Sequence, residues 1–253
     1  MRIKTPSGDQ GAPQIDPAAV EHFFCKRAEK AKTIGSLRAV LYQDKHPDLA
    51  ERRDAAEKAL LLPKLELHED SRVLDIGCGT GRWTGVLSPK VAWYHGTDFA
   101  GGLIDLARAE YGTIPNVRYS VLPCLSISLD TLGEPYGFDK IVMLGVLIYL
   151  NDEAVFTTLR RTFSVAALEC RLLIREPVAI GDRLTIKGHF SDDLEQEYNA
   201  IYRTEDELLF ILLEALGPDF RLIDKGYVYE NHDMNNRTDT IQKWFLLDRQ
   251  GSI

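Results

Sequence analysis

The feature that most constrains the fold is a glycine turn directly after a short apolar run. Residues 72–76, Arg-Val-Leu-Asp-Ile, are followed by Gly77, Gly79 and Gly81 at alternate positions. A nearly continuous apolar run that ends in glycines is typical of a central parallel strand covered on both faces. Glycines lack a Cβ, so the backbone can turn sharply and approach a ligand closely. The segment therefore predicts a strand, a ligand-binding turn and then a helix, which Arg82-Trp83-Thr84 can open.

Strands and helices alternate after this turn. The pattern predicts further strands at 91–97, 117–122, 138–144 and 171–175, helices at 103–111, 154–167 and 205–216, and a final antiparallel pair at 220–229 and 241–248. Such alternation predicts an α/β fold with a doubly wound, mostly parallel seven-stranded sheet and helices on both faces. In such a sheet the ligand lies beyond the carboxyl ends of the strands.

The rest of the chain divides around that sheet. Residues 1–17 are polar and punctuated by proline, which predicts a flexible arm. Residues 18–64 carry helical apolar stripes and predict a helical cap or lid. Residues 65–250 are expected to form the ligand-binding domain. A polar insertion at about 177–204 lacks a clear helical period, and a stretch this long between a strand and its helix is often functional.

Two acids suit the turn to one kind of ligand. A helix amino terminus offers N–H groups to a carboxylate, and Asp75 at the strand end can accept from an ammonium group. Asp98 ends the next strand, 17 residues after Gly81, where an acid can accept both ribose hydroxyls. A dinucleotide fingerprint needs a third glycine where Arg82 stands, and a phosphate-cradling loop also needs a lysine. The turn therefore indicates a ligand with an amino acid moiety and a ribose.

The segments 73–81 and 96–100 resemble the first two motifs of class I S-adenosylmethionine-dependent methyltransferases. Residues 138–150 resemble the fourth-strand motif of that family, and the resemblance covers about 65–180. It implies S-adenosylmethionine as cofactor, with the glycine turn at the methionine end, Asp98 and Phe99 at the adenosine and Leu144 under the sulfonium. The cofactor contacts expected on this basis are Asp75, Gly77, Cys78, Gly79, Gly81, Trp83, Asp98, Phe99, Cys124 and Leu144.

The sequence gives less direct evidence for the residues that contact the methyl acceptor. A hydroxyl acceptor usually needs a general base, whereas an amine mainly needs to be held neutral. Glu176, at the end of a strand, is the leading candidate for an acidic group facing the substrate. His189 is the alternative base, unless it is an exposed loop histidine. His232 and Asp233 fit a solvated turn better than the rim of the site.

The expected substrate contacts come from the cap, the fourth-strand motif and the insertion: Tyr42, Gln43, Tyr149, Tyr198 and Arg203. The alternative for Tyr42 and Gln43 is a helix end with an exposed loop. The family's fourth-strand motif often carries a histidine, but here the position near Ile148 lacks it.

Composition disfavours several functions. The net charge of −8 disfavours nucleic acid as a partner, because phosphate binding needs clustered Lys and Arg. No apolar run approaches the ~20 residues of a membrane span, and no signal pattern is present, so we expect a cytoplasmic protein. The four cysteines lie roughly fifty residues apart, so we expect neither a structural metal nor disulfides.

The sequence thus predicts an S-adenosylmethionine-dependent methyltransferase acting on a hydroxyl or amine of a small molecule, such as a sugar or natural-product intermediate. The acidic chain favours a neutral or cationic acceptor. A protein or RNA methyltransferase and a non-catalytic cofactor-binding subunit are the alternatives.

Overall fold

The apolar run Arg72–Ile76 forms the central strand of a seven-stranded sheet. The computed structural model describes residues 1–9, 11–229, 234, 235 and 237–250. Leu74 and Ile76 belong to the core on one face of the sheet, and Val73 belongs to the core on the other. Burial on both faces explains why this strand shows no alternation of apolar and polar residues.

The seven strands lie in the order β4-β3-β2-β5-β6-β10-β9, counting a short amino-terminal strand as β1. All pairings are parallel except those of β10, which runs antiparallel to both neighbours. The strands are β2 Arg72–Ile76, β3 Trp93–Asp98, β4 Val117–Val121, β5 Phe138–Leu144, β6 Ala166–Ala179, β9 Phe220–Tyr227 and β10 Thr240–Arg249. This confirms the predicted doubly wound α/β class. From β2 the chain proceeds through β3 to β4 at one edge of the sheet and then crosses back to β5 on the other side of β2. This reversal of direction leaves a crevice at the carboxyl ends of β2 and β5.

Helices cover both faces of the sheet. They are α1 Pro17–Ile34, α2 Ser36–Leu41, α3 Pro47–Leu61, α4 Thr84–Leu87, α5 Gly101–Tyr111, α6 Leu129–Leu132, α7 Asp152–Val165 and α8 Glu205–Leu216. Short 3₁₀ turns lie at Leu62–Leu65, Ser88–Lys90, Cys124–Ser126 and Leu147–Tyr149. The cores place α6, α7 and α8 on one face and the end of α3, α4 and α5 on the other. Within the described residues, no helix has the length and apolar character needed to cross a bilayer.

The amino terminus and the insertion contain strands that the sequence did not predict. Arg2–Thr5 forms β1, and the insertion forms a hairpin of β7 (Arg183–Ser191) and β8 (Gln196–Tyr202). The three strands make a second, antiparallel sheet in the order β1-β7-β8. Buried side chains of the hairpin pack with α1 and with the turn after β5, so pairing and burial order segments that look irregular in sequence.

Candidate active site

The glycine turn is held by the neighbouring strand. The backbone N–H groups of Gly77 and Cys78 both donate to the carbonyl of Thr97, at 2.7 and 2.9 Å. Gly77 has a φ of +74°, and a Cβ there would lie 2.4 Å from Cγ2 of Val146. Only glycine therefore fits between β2 and the turn that follows β5.

Two buried acids lie beside this turn. Asp98 accepts the N–H of Gly79 at 3.0 Å and that of Ala100 at 2.9 Å through different carboxylate oxygens. Asp75 accepts the hydroxyl of Tyr94 at 2.7 Å. Burial raises the pKa of each acid to about 6, despite these hydrogen bonds. Both carboxylates are thus fixed in place and ionised at neutral pH.

The crevice contains two adjoining compartments that share Gly77, Asp98 and Gly145. The first has about 610 Å³ of empty space and contains both acids; its further lining includes Cys78, Gly79, Trp83 and Leu144. The second has about 520 Å³ and is mostly apolar, with walls from Phe99, Leu122, Cys124, Val146 and Leu150.

These compartments fit S-adenosylmethionine by the chemistry of their walls. The acids offer acceptors for an ammonium group and for ribose hydroxyls, and the apolar compartment suits an adenine ring. The indole N–H of Trp83 is buried and has no hydrogen-bond partner among the described residues, which leaves a donor at the first compartment.

Of the predicted cofactor contacts, nine line the two compartments: Asp75, Gly77, Cys78, Gly79, Trp83, Asp98, Phe99, Cys124 and Leu144. Gly81 is the exception. A Cβ at Gly81 would lie 2.8 Å from the hydroxyl of Tyr119, so the structure assigns this glycine to packing behind the turn. Sequence reasoning missed Phe24, Val40 and Leu41 of the cap, which also line the first compartment.

A third cavity, with about 660 Å³ of empty space, adjoins the first compartment and is called the acceptor cavity below. The two share Leu144, Gly145 and Arg175 as a common wall. The acceptor cavity is rich in tyrosine and arginine: Tyr42, Tyr149, Tyr198, Tyr202, Tyr229, Arg53, Arg175 and Arg237. Three predicted substrate contacts, Tyr42, Tyr149 and Tyr198, are among these residues.

Four tyrosine hydroxyls in this cavity form a chain. The hydroxyl of Tyr149 donates to that of Tyr42 at 2.8 Å and lies 3.3 Å from that of Tyr198. The Tyr198 hydroxyl lies 3.0 Å from that of Tyr202. Burial raises the pKa of all four above the ordinary tyrosine value, so these hydroxyls stay neutral and can donate.

The structure corrects the role expected for Glu176. This side chain is fully buried, and its carboxylate accepts the N–H groups of Val146 and Leu147 at 2.7 Å and that of Ile148 at 3.3 Å. Burial raises its pKa to about 7. Its neighbour Arg175 lines the cavities instead, because adjacent strand residues point to opposite faces. Glu176 therefore positions the turn after β5 rather than facing a substrate.

The remaining predicted substrate residues lie elsewhere. His189 is exposed on β7 and, with Gln43, lines an open groove outside the acceptor cavity. The guanidinium of Arg203 is buried and donates to the carbonyls of Leu147 and Leu150 and to Asp152, so it supports the turn after β5 from behind. His189, Gln43 and Arg203 therefore lie outside the lining of the acceptor cavity, unlike the contacts predicted for them. His232 and Asp233 lie outside the described residues.

Comparisons with known proteins agree with this geometry. A family model described as a methyltransferase domain matches residues 73–167. Phosphoethanolamine N-methyltransferase 1 of Caenorhabditis elegans is 27% identical over 132 residues, which are 51% of this chain and 27% of that protein. Phosphoethanolamine N-methyltransferase 3 of Arabidopsis thaliana is 25% identical over 186 residues, which are 73% of this chain and 35% of that protein. The chain thus spans about a quarter to a third of the length of these curated relatives.

A solved structure shows the same fold. It is phosphoethanolamine N-methyltransferase 1 of Haemonchus contortus, in complex with phosphoethanolamine and S-adenosylhomocysteine. The TM-score is 0.72 at 17% identity, and the match covers 94% of this chain and 51% of that one.

Residues 73–167 match the methyltransferase-domain model, and the chain has the fold of the solved methyltransferase structure. The predicted class and the predicted cofactor, S-adenosylmethionine, are confirmed.

The pKa of the two acids predicts how cofactor affinity depends on pH. Both acids must be ionised to accept from ribose and ammonium groups, and both titrate near pH 6 in the folded chain. Affinity for S-adenosylhomocysteine should be constant above about pH 7, where both acids are ionised. Below about pH 6 it should fall by about tenfold per pH unit for each acid that must lose its proton before the ligand binds. Calorimetric titration between pH 8 and 5 measures this.

The pH dependence of the free energy of unfolding shows that a loss of affinity would not be caused by unfolding. Because burial raises the folded-state pKa of both acids, ionisation destabilises the cofactor-free fold. Their contribution to the free energy of unfolding therefore increases as pH falls from 6 towards 4. Loss of affinity in this range thus cannot come from titration of these acids unfolding the chain. An affinity that stays level from pH 8 to 5 would contradict the assignment.

Proposed function

We propose that this chain catalyses methyl transfer from S-adenosylmethionine to an amine of a small molecule. The observation that carries the proposal is the common wall of Leu144, Gly145 and Arg175 between the cofactor compartment and the acceptor cavity. The acceptor cavity is a concave pocket lined by side chains of the cap, β6 and β8, which suits a small molecule better than a segment of protein or RNA.

The lining of the acceptor cavity supports an amine over a hydroxyl. Among its described residues there is no histidine, and the one carboxylate is that of Glu57. This carboxylate is buried between Arg82 and Arg175, and the two arginines hold its pKa down at about 2. A carboxylate so engaged is a poor base, whereas an amine acceptor needs mainly to be held neutral and aligned. The curated relatives named as N-methyltransferases also support an amine.

Bound S-adenosylmethionine would supply an electrophilic methyl group at the common wall. The protein then contributes mainly alignment and exclusion of water, which can account for much of the rate of an in-line transfer. Glu176 and Arg203 hold the turn after β5 from behind, so Leu144 and Gly145 keep their place. Tyr42 and Tyr149 present neutral hydroxyls whose oxygens can accept an N–H of the acceptor amine, which leaves the nitrogen lone pair free to attack.

A turnover assay tests the proposal. Labelled methyl transfer is measured with small primary amines and with the corresponding alcohols, and we expect turnover with at least one amine. Tyr149→Phe removes one hydroxyl that contacts two others but keeps the ring that also lines the second compartment, so it should lower kcat/KM by about tenfold while leaving S-adenosylhomocysteine affinity unchanged. The exposed Tyr136→Phe is the matched control.

Two results would contradict the proposal. Turnover with alcohols alone would reject the amine, and cofactor binding without transfer to either class would favour the non-catalytic alternative.

A further inference from the structure

Two tyrosine hydroxyls lie where the acceptor cavity meets the cofactor compartments. Tyr42 lines the acceptor cavity and the first compartment, and Tyr149 lines the acceptor cavity and the second compartment. The two hydroxyl oxygens are 2.8 Å apart. An acceptor nitrogen that reaches the common wall at Leu144 and Gly145 therefore approaches this pair of hydroxyls.

The other side chains at this junction cannot accept a hydrogen bond from an amine. Among the described residues, those shared by the acceptor cavity and either compartment also include Val40, Leu41, Leu144, Gly145 and Arg175. Aliphatic side chains have no acceptor atom, glycine has no side chain, and a guanidinium has only donors. The side-chain oxygens at the described part of the junction are therefore those of the two tyrosines.

Both hydroxyl oxygens have capacity to accept an N–H. A hydroxyl has one proton to donate and two lone pairs that can accept. Tyr149 donates its proton to Tyr42, and its oxygen lies 3.3 Å from the hydroxyl of Tyr198. The acceptor nitrogen becomes positively charged as it takes up the methyl group, so a hydrogen bond from its N–H to either oxygen strengthens in the transition state. A bond that is stronger in the transition state than in the ground state accelerates the reaction.

The tyrosine rings are held by other aromatic rings. Tyr149 is buried and makes edge-to-face contacts with Phe24 and Tyr198, at centroid distances of 4.9 and 6.2 Å. The ring of Tyr42 packs in the same way on Phe23, at 5.7 Å. These contacts fix the two hydroxyls in position. A methyl group in the place of the N–H would therefore leave a hydroxyl oxygen without its partner, which is unfavourable for a buried polar group.

We propose that the hydroxyls of Tyr42 and Tyr149 make an N–H on the acceptor nitrogen a requirement for methyl transfer, so that primary and secondary amines are methylated and tertiary amines are not. The inference rests on the proposed function and specifies its acceptor class and its final product. Methylation by this chain then ends at the tertiary amine, and no quaternary ammonium is formed.

Ethylamine, N-methylethylamine and N,N-dimethylethylamine test this inference, because they differ in the number of N–H groups replaced by methyl. Labelled methyl transfer from S-adenosylmethionine is measured with each amine, and mass spectrometry identifies the products. We expect kcat/KM for the tertiary amine to be at least about a hundredfold lower than for the secondary amine, since a site that hydrogen-bonds a substrate N–H strongly rejects an analogue that lacks it.

Variants assign this discrimination to the two hydroxyls. Tyr149→Phe and the double variant Tyr42→Phe/Tyr149→Phe keep the rings and remove one or both hydroxyls. Discrimination against the tertiary amine should fall to about tenfold in the single variant and to about threefold or less in the double variant. A purely structural role would lower turnover of all three amines alike. Unchanged affinity for S-adenosylhomocysteine shows that the variants fold, and the exposed Tyr136→Phe should keep the full discrimination.

Three results would overturn the inference. The first is a wild-type kcat/KM for the tertiary amine within about threefold of that for the secondary amine. The second is discrimination that survives in the double variant. The third is turnover of ethylamine alone, because the secondary amine still has an N–H and its rejection would show that space decides. Turnover of none of the three amines would instead reject the proposed function, so the two failures are distinguishable.

Discussion

Replacing Asp98 with alanine is expected to weaken S-adenosylhomocysteine binding by about a hundredfold. The substitution removes the carboxylate proposed to accept the ribose hydroxyls, and hydrogen bonds to charged groups contribute about 1.5–3 kcal/mol each. It also removes the acceptor that holds the N–H groups of Gly79 and Ala100, so the glycine turn loses an anchor. Calorimetric titration at pH 7.5, where Asp98 is ionised, measures the loss.

Asp105→Ala is the matched control, because this acid is exposed on α5 and lines neither cofactor compartment. Asp98→Asn separates charge from shape: it should bind more weakly than the wild type and depend less on pH. If Asp98→Ala bound S-adenosylhomocysteine with wild-type affinity, Asp98 would not be a cofactor contact, and the residue that binds the ribose would be unknown.

Glu176→Gln is expected to lower the free energy of unfolding by about 3 kcal/mol. A backbone N–H that now donates to the buried carboxylate would instead face the NH₂ group of glutamine and lose its acceptor. The carboxylate accepts from three consecutive N–H groups, those of Val146, Leu147 and Ile148. A glutamine would present an NH₂ group to at least one of these donors. Urea unfolding of the cofactor-free chain measures the difference.

Glu169→Gln, at an exposed position of the same strand, should leave the free energy of unfolding unchanged. Stability also distinguishes the positioning role of Glu176 from a catalytic one. A residue that acted only on the substrate would lose turnover while folding as the wild type. Wild-type stability in Glu176→Gln would therefore restore the catalytic hypothesis that the structure now disfavours.

The cofactor side of the site could be predicted from sequence because its parts are local. The turn from Asp75 to Gly79 directly follows one strand, and Asp98 ends the next. Parallel strands bring their carboxyl ends to one edge of the sheet, so neighbouring strand ends meet without further information. The glycine spacing then restricts the class of ligand that the turn can bind.

The acceptor side could not be predicted in this way. Arg53 lies on α3, Arg175 on β6 and Arg237 between β9 and β10, and no spacing in the chain indicates that these three meet. At the end of β6 the sequence offers Arg175 and Glu176 in succession. Their side chains point to opposite faces, and the pattern does not show which one faces the cavity.

The second sheet was missed for a related reason. β1 has only four residues, and its order comes from pairing with β7 rather than from its own apolar pattern. Pairing between strands more than 175 residues apart is a property of the folded chain, which local propensity does not record.

The cap has a consequence for repeated rounds of methylation. Val40, Leu41 and Tyr42, at the end of α2, form part of the wall of the cofactor compartment and also of the acceptor cavity. If S-adenosylhomocysteine leaves past the end of α2, it must displace residues that also line the acceptor cavity, where the product is bound. An amine can take up more than one methyl group, and each further transfer needs fresh cofactor. If the acceptor is an amine, as proposed above, its multiple methylation is therefore expected to be distributive, with partly methylated product released between rounds.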